Sequence, residues 1–412
     1  MKLRLLIFFA LISIINLYSQ DKKDTTKQKP YLKIWGSVET DAIYNIDKID
    51  PEWTSFFRPS KIPVRAGEPG WHETPGNLYF SVKPSSFRFE GVMPVKHKYN
   101  ELKIRFEFDL IGMGPYKNET GLRFRLAYAD WANFRIGKDW STFIDLPNMP
   151  NIYEWWGPSG MALLPTVTFR YTADLSDNNK FEAALEIPGA GIDIGDIRNQ
   201  DPIIDSVLKS YDVKTKEQIP DFVTRFTHKA GFGYFKIMTL LRDLEYEKPG
   251  KNGYEKNSLF GWAINSSLNV KFLKGHIKLQ GVFGNGYAGY NNDGGVEIAP
   301  VLDDNPSTPI TEYKAYVPFQ YGFTAFYDYK LSEKIQGSFG YSETTYDNTE
   351  SQSDNAFHRS QYAVFQVIYT LAPNIYAGLN YQFGKKFEKD GTNGYNQRLL
   401  FSLAYTFKTD TK

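Results

Sequence analysis

Six arginines in this 412-residue sequence sit in a recurring setting, each with an apolar or aromatic neighbour on at least one side. Arg105 lies between Ile104 and Phe106, Arg123 and Arg125 flank Phe124, Arg135 lies between Phe134 and Ile136, Arg170 between Phe169 and Tyr171, and Arg225 between Thr224 and Phe226. A guanidinium keeps its charge at any physiological pH, and its planar fork matches carboxylate or phosphate oxygens. Glu107 and Asp109 follow the same alternation, while Asp145 and Glu154 fall in a longer apolar segment. Such a set can attract, orient and sort anions without making or breaking bonds. Its plainer use is structural, with the arginines pairing with Glu107, Asp109, Glu182 and Glu186 to brace a wall.

Bond-making chemistry finds little support. There is no cysteine, so disulfides, thiolate metal sites and a cysteine nucleophile are excluded. The five histidines, His72, His97, His228, His276 and His358, show no metal-ligand spacing. No cofactor, metal or enzymatic activity is expected. The formal net charge of +1 gives no argument for nucleic acid as a partner. The glycine-rich stretches at 231–235 and 284–289 lack a following helix and do not make phosphate loops.

The elements that position the arginines are strands. In "ELKIRFEFDL" (101–110), Leu102, Ile104, Phe106, Phe108 and Leu110 share one face, and Lys103, Arg105, Glu107 and Asp109 the other. Similar alternation predicts sixteen strands at 31–46, 77–90, 101–110, 121–130, 134–140, 165–174, 180–188, 220–229, 231–243, 258–272, 276–288, 319–331, 334–346, 360–371, 375–384 and 396–407. Strand 360–371 mixes its faces, so its register stays open. The gaps alternate: long at 47–76, 111–120, 141–164, 189–219, 244–257, 289–318, 347–359 and 385–395, short between them. Loops sorted by length onto two ends, an even strand count and a 16% aromatic content describe an all-β transmembrane antiparallel barrel with long external loops and short periplasmic turns. In hydrocarbon an open sheet edge has no hydrogen-bond partners, so the sheet must close.

The start, "MKLRLLIFFALISIINLYSQ", has Lys2 and Arg4 before an apolar run, and reads as a signal peptide over 1–19. A polar segment at 20–30 precedes the barrel at 31–407, and a polar tail occupies 408–412. With oily residues facing lipid, parity turns the arginines into a lumen that is wide enough for water at sixteen strands. Arg105, Arg125, Arg170 and Arg225 are expected near mid-height, with Arg123 higher and Arg135 lower, on a basic sector formed by strands three to six. Loop 141–164, apolar for a loop, is expected to fold inward, its Asp145 and Glu154 facing that sector across a constriction that focuses the field on a passing solute. The alternatives are a subunit contact or a lid. Loop 47–76, with Trp53, Phe56, Phe57 and Trp71, is expected to serve packing or subunit contact.

The stretches "LKIRFEFDL" (102–110), "LRFRLAYADWANFRIGKDWSTFID" (122–145), "WWGPSG" (155–160), "VTFRYT" (167–172) and "ALEIPGAGI" (184–192) resemble the DcaP-like outer-membrane porin family. The resemblance implies a sixteen-stranded barrel in a Gram-negative outer membrane, in contact with its lipid. It also implies a homotrimer that passes small hydrophilic, often anionic solutes such as dicarboxylates by diffusion, with Arg105, Arg123, Arg125, Arg135 and Arg170 as pore arginines. Trimerisation would rest on the barrel, since only about ten polar residues precede the first strand. The strand carrying Phe407 is followed by "KTDTK" rather than ending on an aromatic residue. A carbohydrate-selective channel is the alternative within transport; a surface adhesin or a barrel enzyme is the alternative outside it.

Overall fold

The computed structural model describes residues 30–95, 101–113, 120–192, 213–250, 253–301 and 314–411. The expected signal peptide, His97 and nearly all of the 20–30 segment lie outside these residues. Sixteen antiparallel strands form the wall. They are β1 Tyr31–Asn45, β2 Asn77–Ser81 continuing as Ser86–Pro94, β3 Glu101–Met113, β4 Thr120–Trp131, β5 Phe134–Trp140, β6 Pro165–Asp174, β7 Asn179–Ile187 and β8 Asp221–Ala230. β9 Gly233–Gly250, β10 Gly253–Phe272, β11 Gly275–Asn285, β12 Phe319–Lys330, β13 Ile335–Tyr346, β14 Phe357–Ala372, β15 Ile375–Glu388 and β16 Asn393–Thr411 complete it. Each pairs with its chain neighbour, and β1 pairs with β16 from Leu32↔Thr411 to Asn45↔Arg398, so the sheet has no free edge. No α-helix occurs among the described residues.

The two faces follow the alternation. On β16, Leu399, Phe401, Leu403 and Tyr405 are exposed outward while Arg398 and Ser402 are fully buried inside. On β14 the register left open by the sequence is resolved: Phe365, Tyr369 and Leu371 point outward, and Ser360, Tyr362, Val364, Gln366 and Ile368 inward. Its apolar inward residues are not errors of pattern. Tyr362 and Val364 form a cluster with Phe57, which loop 46–76 carries into the barrel. Val223, Met238 and Leu240 likewise face inward to pack against Phe143, Ile144, Tyr287 and Tyr290 from two infolded loops. An apolar side chain faces in without penalty wherever a loop covers it from water. Tight turns at 132–133, 273–274 and 373–374 use left-handed residues, Ala132, Leu273 and Asn374, to reverse the chain in two residues.

Two expected long loops are largely strand. Gap 244–257 is an extended hairpin in which β9 and β10 stay paired up to Gly250↔Gly253, and β15 and β16 pair up to Phe387↔Asn393. Polar residues in the first hairpin mislead a reading based on hydrophobic alternation, because its apolar Leu244 and Tyr246 are buried against Ile298 and Val317 while residues 253–256 are exposed and mostly polar. The polar end after 407 is strand as well: Thr409 and Asp410 pair with Ile34 and Lys33, which would otherwise lack ladder partners on that edge.

Candidate functional site

Loop 141–164 crosses the barrel interior and is fastened at successive points to the far wall. The Asn148 amide donates to the Leu279 carbonyl (2.8 Å), and the backbone N–H groups of Asn151, Tyr153 and Gly160 donate to Asp328 (3.1 Å), Gln366 (2.8 Å) and Ser342 (2.8 Å). Gly160 is required where it lies: a Cβ there would come within 2.0 Å of the Glu343 carbonyl oxygen. Loop 46–76 closes over it. The Phe57 N–H donates to Glu154 (3.0 Å), and Arg58 pairs with Asp293 (3.0 Å) while lying over the rings of Trp53 and Trp156. At the outer end of this loop, burial opposes the charge on Glu68, but hydrogen bonds from Lys386 (2.6 Å) and the Val64 N–H hold its carboxyl below the ordinary range. Loop 46–76 therefore serves as packing for the infolded segment.

Beside loop 141–164 lies a cavity of about 440 Å³. Arg88 of β2, Arg105 of β3, Arg125 of β4, Arg135 of β5, Arg170 of β6, Arg225 of β8 and Lys236 of β9 line it, with Glu107 and Asp139 as its carboxylates. Ile144, Leu146 and Pro147 form the loop side. Asp145 and Glu154 do not face the arginines of strands three to six, contrary to expectation. Asp145 is buried and turned toward β9 and β10, bound by Lys236 (2.5 Å) and Ser267 (2.6 Å). Glu154 is buried on the opposite side, accepting from the Phe57 and Trp156 N–H groups and paired with the fully buried Arg398 (3.4 Å). The infolded backbone needs anchors in the wall, and both carboxylates are spent on that.

The basic sector is also narrower than strands three to six. Arg135 is matched by Asp130 (2.6 Å) and Asp139 (2.6 Å), and Arg170 shares Asp139 (3.1 Å). Arg135 stands directly opposite Arg170 in the ladder rather than on a lower level. Arg225 is matched by Glu182 (2.5 Å) and donates to the Ile144 carbonyl (3.0 Å). On β2–β4 the balance differs. Arg88 (2.9 Å), Arg105 (3.3 Å) and Arg125 (3.1 Å) converge on Glu107, and Arg123 makes a two-pronged contact with Asp109 (3.0 and 2.7 Å). Four guanidinium groups share two carboxylates, so two positive charges are left over. The side chains of Arg88, Arg105 and Arg123 retain a quarter to a third of their exposure.

A β-bulge builds this cluster. Glu107 pairs with Leu126 and Phe108 with Phe124, which leaves Arg125 as the extra residue on β4. Before the bulge Leu122 and Phe124 face lipid; after it Leu126 and Tyr128 face the cavity. Arg125, Leu126 and Tyr128 thus all reach the lumen, which strict alternation forbids. Sequence reasoning omitted Arg88 although it sits between Phe87 and Phe89 in the same pattern as the others; parity alone finds it. The rings that hold the arginines carried no such signal: Trp35 under Arg105 (4.9 Å), Trp140 under Arg125 (4.8 Å) and Tyr128 under Arg135 (3.9 Å).

The sequence profile of the Porin subfamily matches residues 97–405 of this chain. No curated protein matches it. Among solved structures, the outer membrane channel DcaP of Acinetobacter baumannii superposes with a TM-score of 0.72 at 17% identity, covering 94% of this chain and 99% of that one. An anion-selective porin from Comamonas acidovorans gives 0.54 at 8% identity, covering 92% and 100%. The trimer form of OmpT, an outer membrane protein of Vibrio cholerae, gives 0.52 at 10% identity, again covering 92% and 100%.

Proposed function

Because this chain belongs to the Porin subfamily and is an outer-membrane porin of the Gram-negative type, we propose that its channel favours small anionic solutes, dicarboxylates among them. Arg88, Arg105, Arg123 and Arg125 supply the attraction, with Arg135, Arg170 and Arg225 bracing the wall beside them. The observation that carries this reading is the sharing of Glu107 and Asp109 among four guanidinium groups. Paired charges cancel at the distance of a solute, whereas an excess in a narrow, low-dielectric passage draws anions in and repels cations. Loop 141–164 sets the size limit, presenting Ile144, Leu146 and Pro147 to the passage. The anion-selective Comamonas porin has the same barrel type, so the architecture accommodates this selection.

A sugar-selective channel would keep aromatic faces free to stack on pyranose rings. Here Trp35, Trp140 and Tyr128 are covered by guanidinium groups. The subunits assemble as a homotrimer in this reading, as the Vibrio porin does in its trimer form. The test is competition in a planar bilayer. Succinate added to one side should reduce chloride current, and maltotriose at the same concentration should not. Block by the sugar with none by succinate would reverse the assignment.

A further inference from the structure

The infolded loop touches the basic cluster through an aromatic ring. Trp155 lies against both Arg123 (4.8 Å) and Arg125 (4.9 Å), and is backed by Phe56 (5.7 Å between ring centres) and by its neighbour Trp156 (6.4 Å). The other fastenings of loop 141–164 are hydrogen bonds, ion pairs, the apolar packing of Phe143 and Ile144 and the contact of Arg58 with Trp156. None of them touches the arginine cluster through a carboxylate, because Asp145 and Glu154 bind elsewhere. A carboxylate at position 155 would also tether the loop to Arg123 and Arg125, but it would cancel one of the two excess charges. The electron-rich face of an indole holds guanidinium groups and adds no formal charge.

We infer that Trp155 is a specificity-determining positioning residue: it ties the size-limiting loop to the arginine cluster while leaving the positive excess of that cluster intact. The inference rests on the anion preference proposed above. It predicts that tethering and charge are separable at this one position. A ring is what the site needs, so Trp155→Phe should keep both the conductance and the reversal potential of the wild type. Trp155→Leu removes the ring without altering charge, so the loop loosens: open-channel noise and conductance rise. Trp155→Glu restores a tether through ion pairing, so the current is quiet again, but the excess is reduced and the reversal potential moves toward zero.

The experiment is single-channel recording of the full-length protein and the three variants in a potassium chloride gradient. Heat-modifiable migration on gels confirms that each barrel is folded. The expected pattern is wild-type behaviour for Trp155→Phe, noise without loss of selectivity for Trp155→Leu, and lost selectivity without noise for Trp155→Glu. A Trp155→Glu channel as anion-selective as the wild type, or a Trp155→Leu channel as quiet and as narrow, overturns the inference while leaving the anion reading in place. A wild-type channel with no anion preference overturns both.

Discussion

Replacing Arg105 and Arg125 together by alanine removes the excess charge while sparing the wall. Both side chains share Glu107 with Arg88, whose Nε stays 2.9 Å from that carboxylate, and Arg123 keeps its two-pronged contact with Asp109. The variant therefore has two guanidinium groups for two carboxylates, and no buried charge is left alone. A unit charge roughly 6 Å from a solute in water contributes about 0.7 kcal/mol. Screening near 0.1 M salt reduces this by about half. Two lost charges are then worth about 0.7–0.8 kcal/mol for a monovalent anion, or roughly three- to fourfold in its local concentration. A dicarboxylate loses about twice that energy, roughly tenfold. Reversal potentials of the purified channel in a potassium chloride gradient read the first figure, and succinate current at about 0.1 M salt reads the second. If the double variant reverses at the wild-type potential, the arginine excess on β2–β4 is not what sorts ions here.

Other perturbations follow from the anchoring of the loops. Glu154→Ala leaves the fully buried Arg398 without its carboxylate, and breaking such a pair costs about 3–5 kcal/mol; heat-modifiability gels should show unfolding at a lower temperature, with noisier channels in the bilayer. Gly160→Ala cannot be seated against the Glu343 carbonyl oxygen, so the loop segment must shift and the conductance change, whereas Gly91→Ala, where a Cβ meets nothing within 4 Å, should record as wild type. Asp145→Asn removes the partner of Lys236 and adds one uncompensated positive charge beside the cavity; the anion preference should increase, as measured by reversal potential.

Much of the barrel was legible in the sequence because one physical rule generates it. A strand in lipid must show oil on one side, so Leu399, Phe401, Leu403 and Tyr405 mark their strand without any knowledge of its neighbours. The rule fails where its cause is absent. In hairpin 244–257 the apolar Leu244 and Tyr246 are buried against Ile298 and Val317, and its charged residues pass for a loop. The inward apolar residues Tyr362 and Val364 answer to Phe57, about three hundred positions away in sequence, and no local pattern announces that. At the site, parity placed Arg105, Arg123 and Arg125 on the inner face, and it would have placed Arg88 there too. It did not reveal the bulge that turns Arg125, Leu126 and Tyr128 inward together. Nor did it reveal that Asp145 and Glu154 are held by Lys236 and Arg398, since the path of a loop across a lumen depends on long-range packing. The uneven sharing of carboxylates, which narrows the basic sector to β2–β4, is visible only once distances are known.

The most direct test is the wild-type channel itself, reconstituted in a planar bilayer and recorded across a tenfold potassium chloride gradient. An unpaired positive excess at the narrowing predicts stable conductance steps whose reversal potential lies on the chloride side of zero. A reversal potential at zero, or on the potassium side, would contradict the view that four arginines sharing two carboxylates govern what this porin admits.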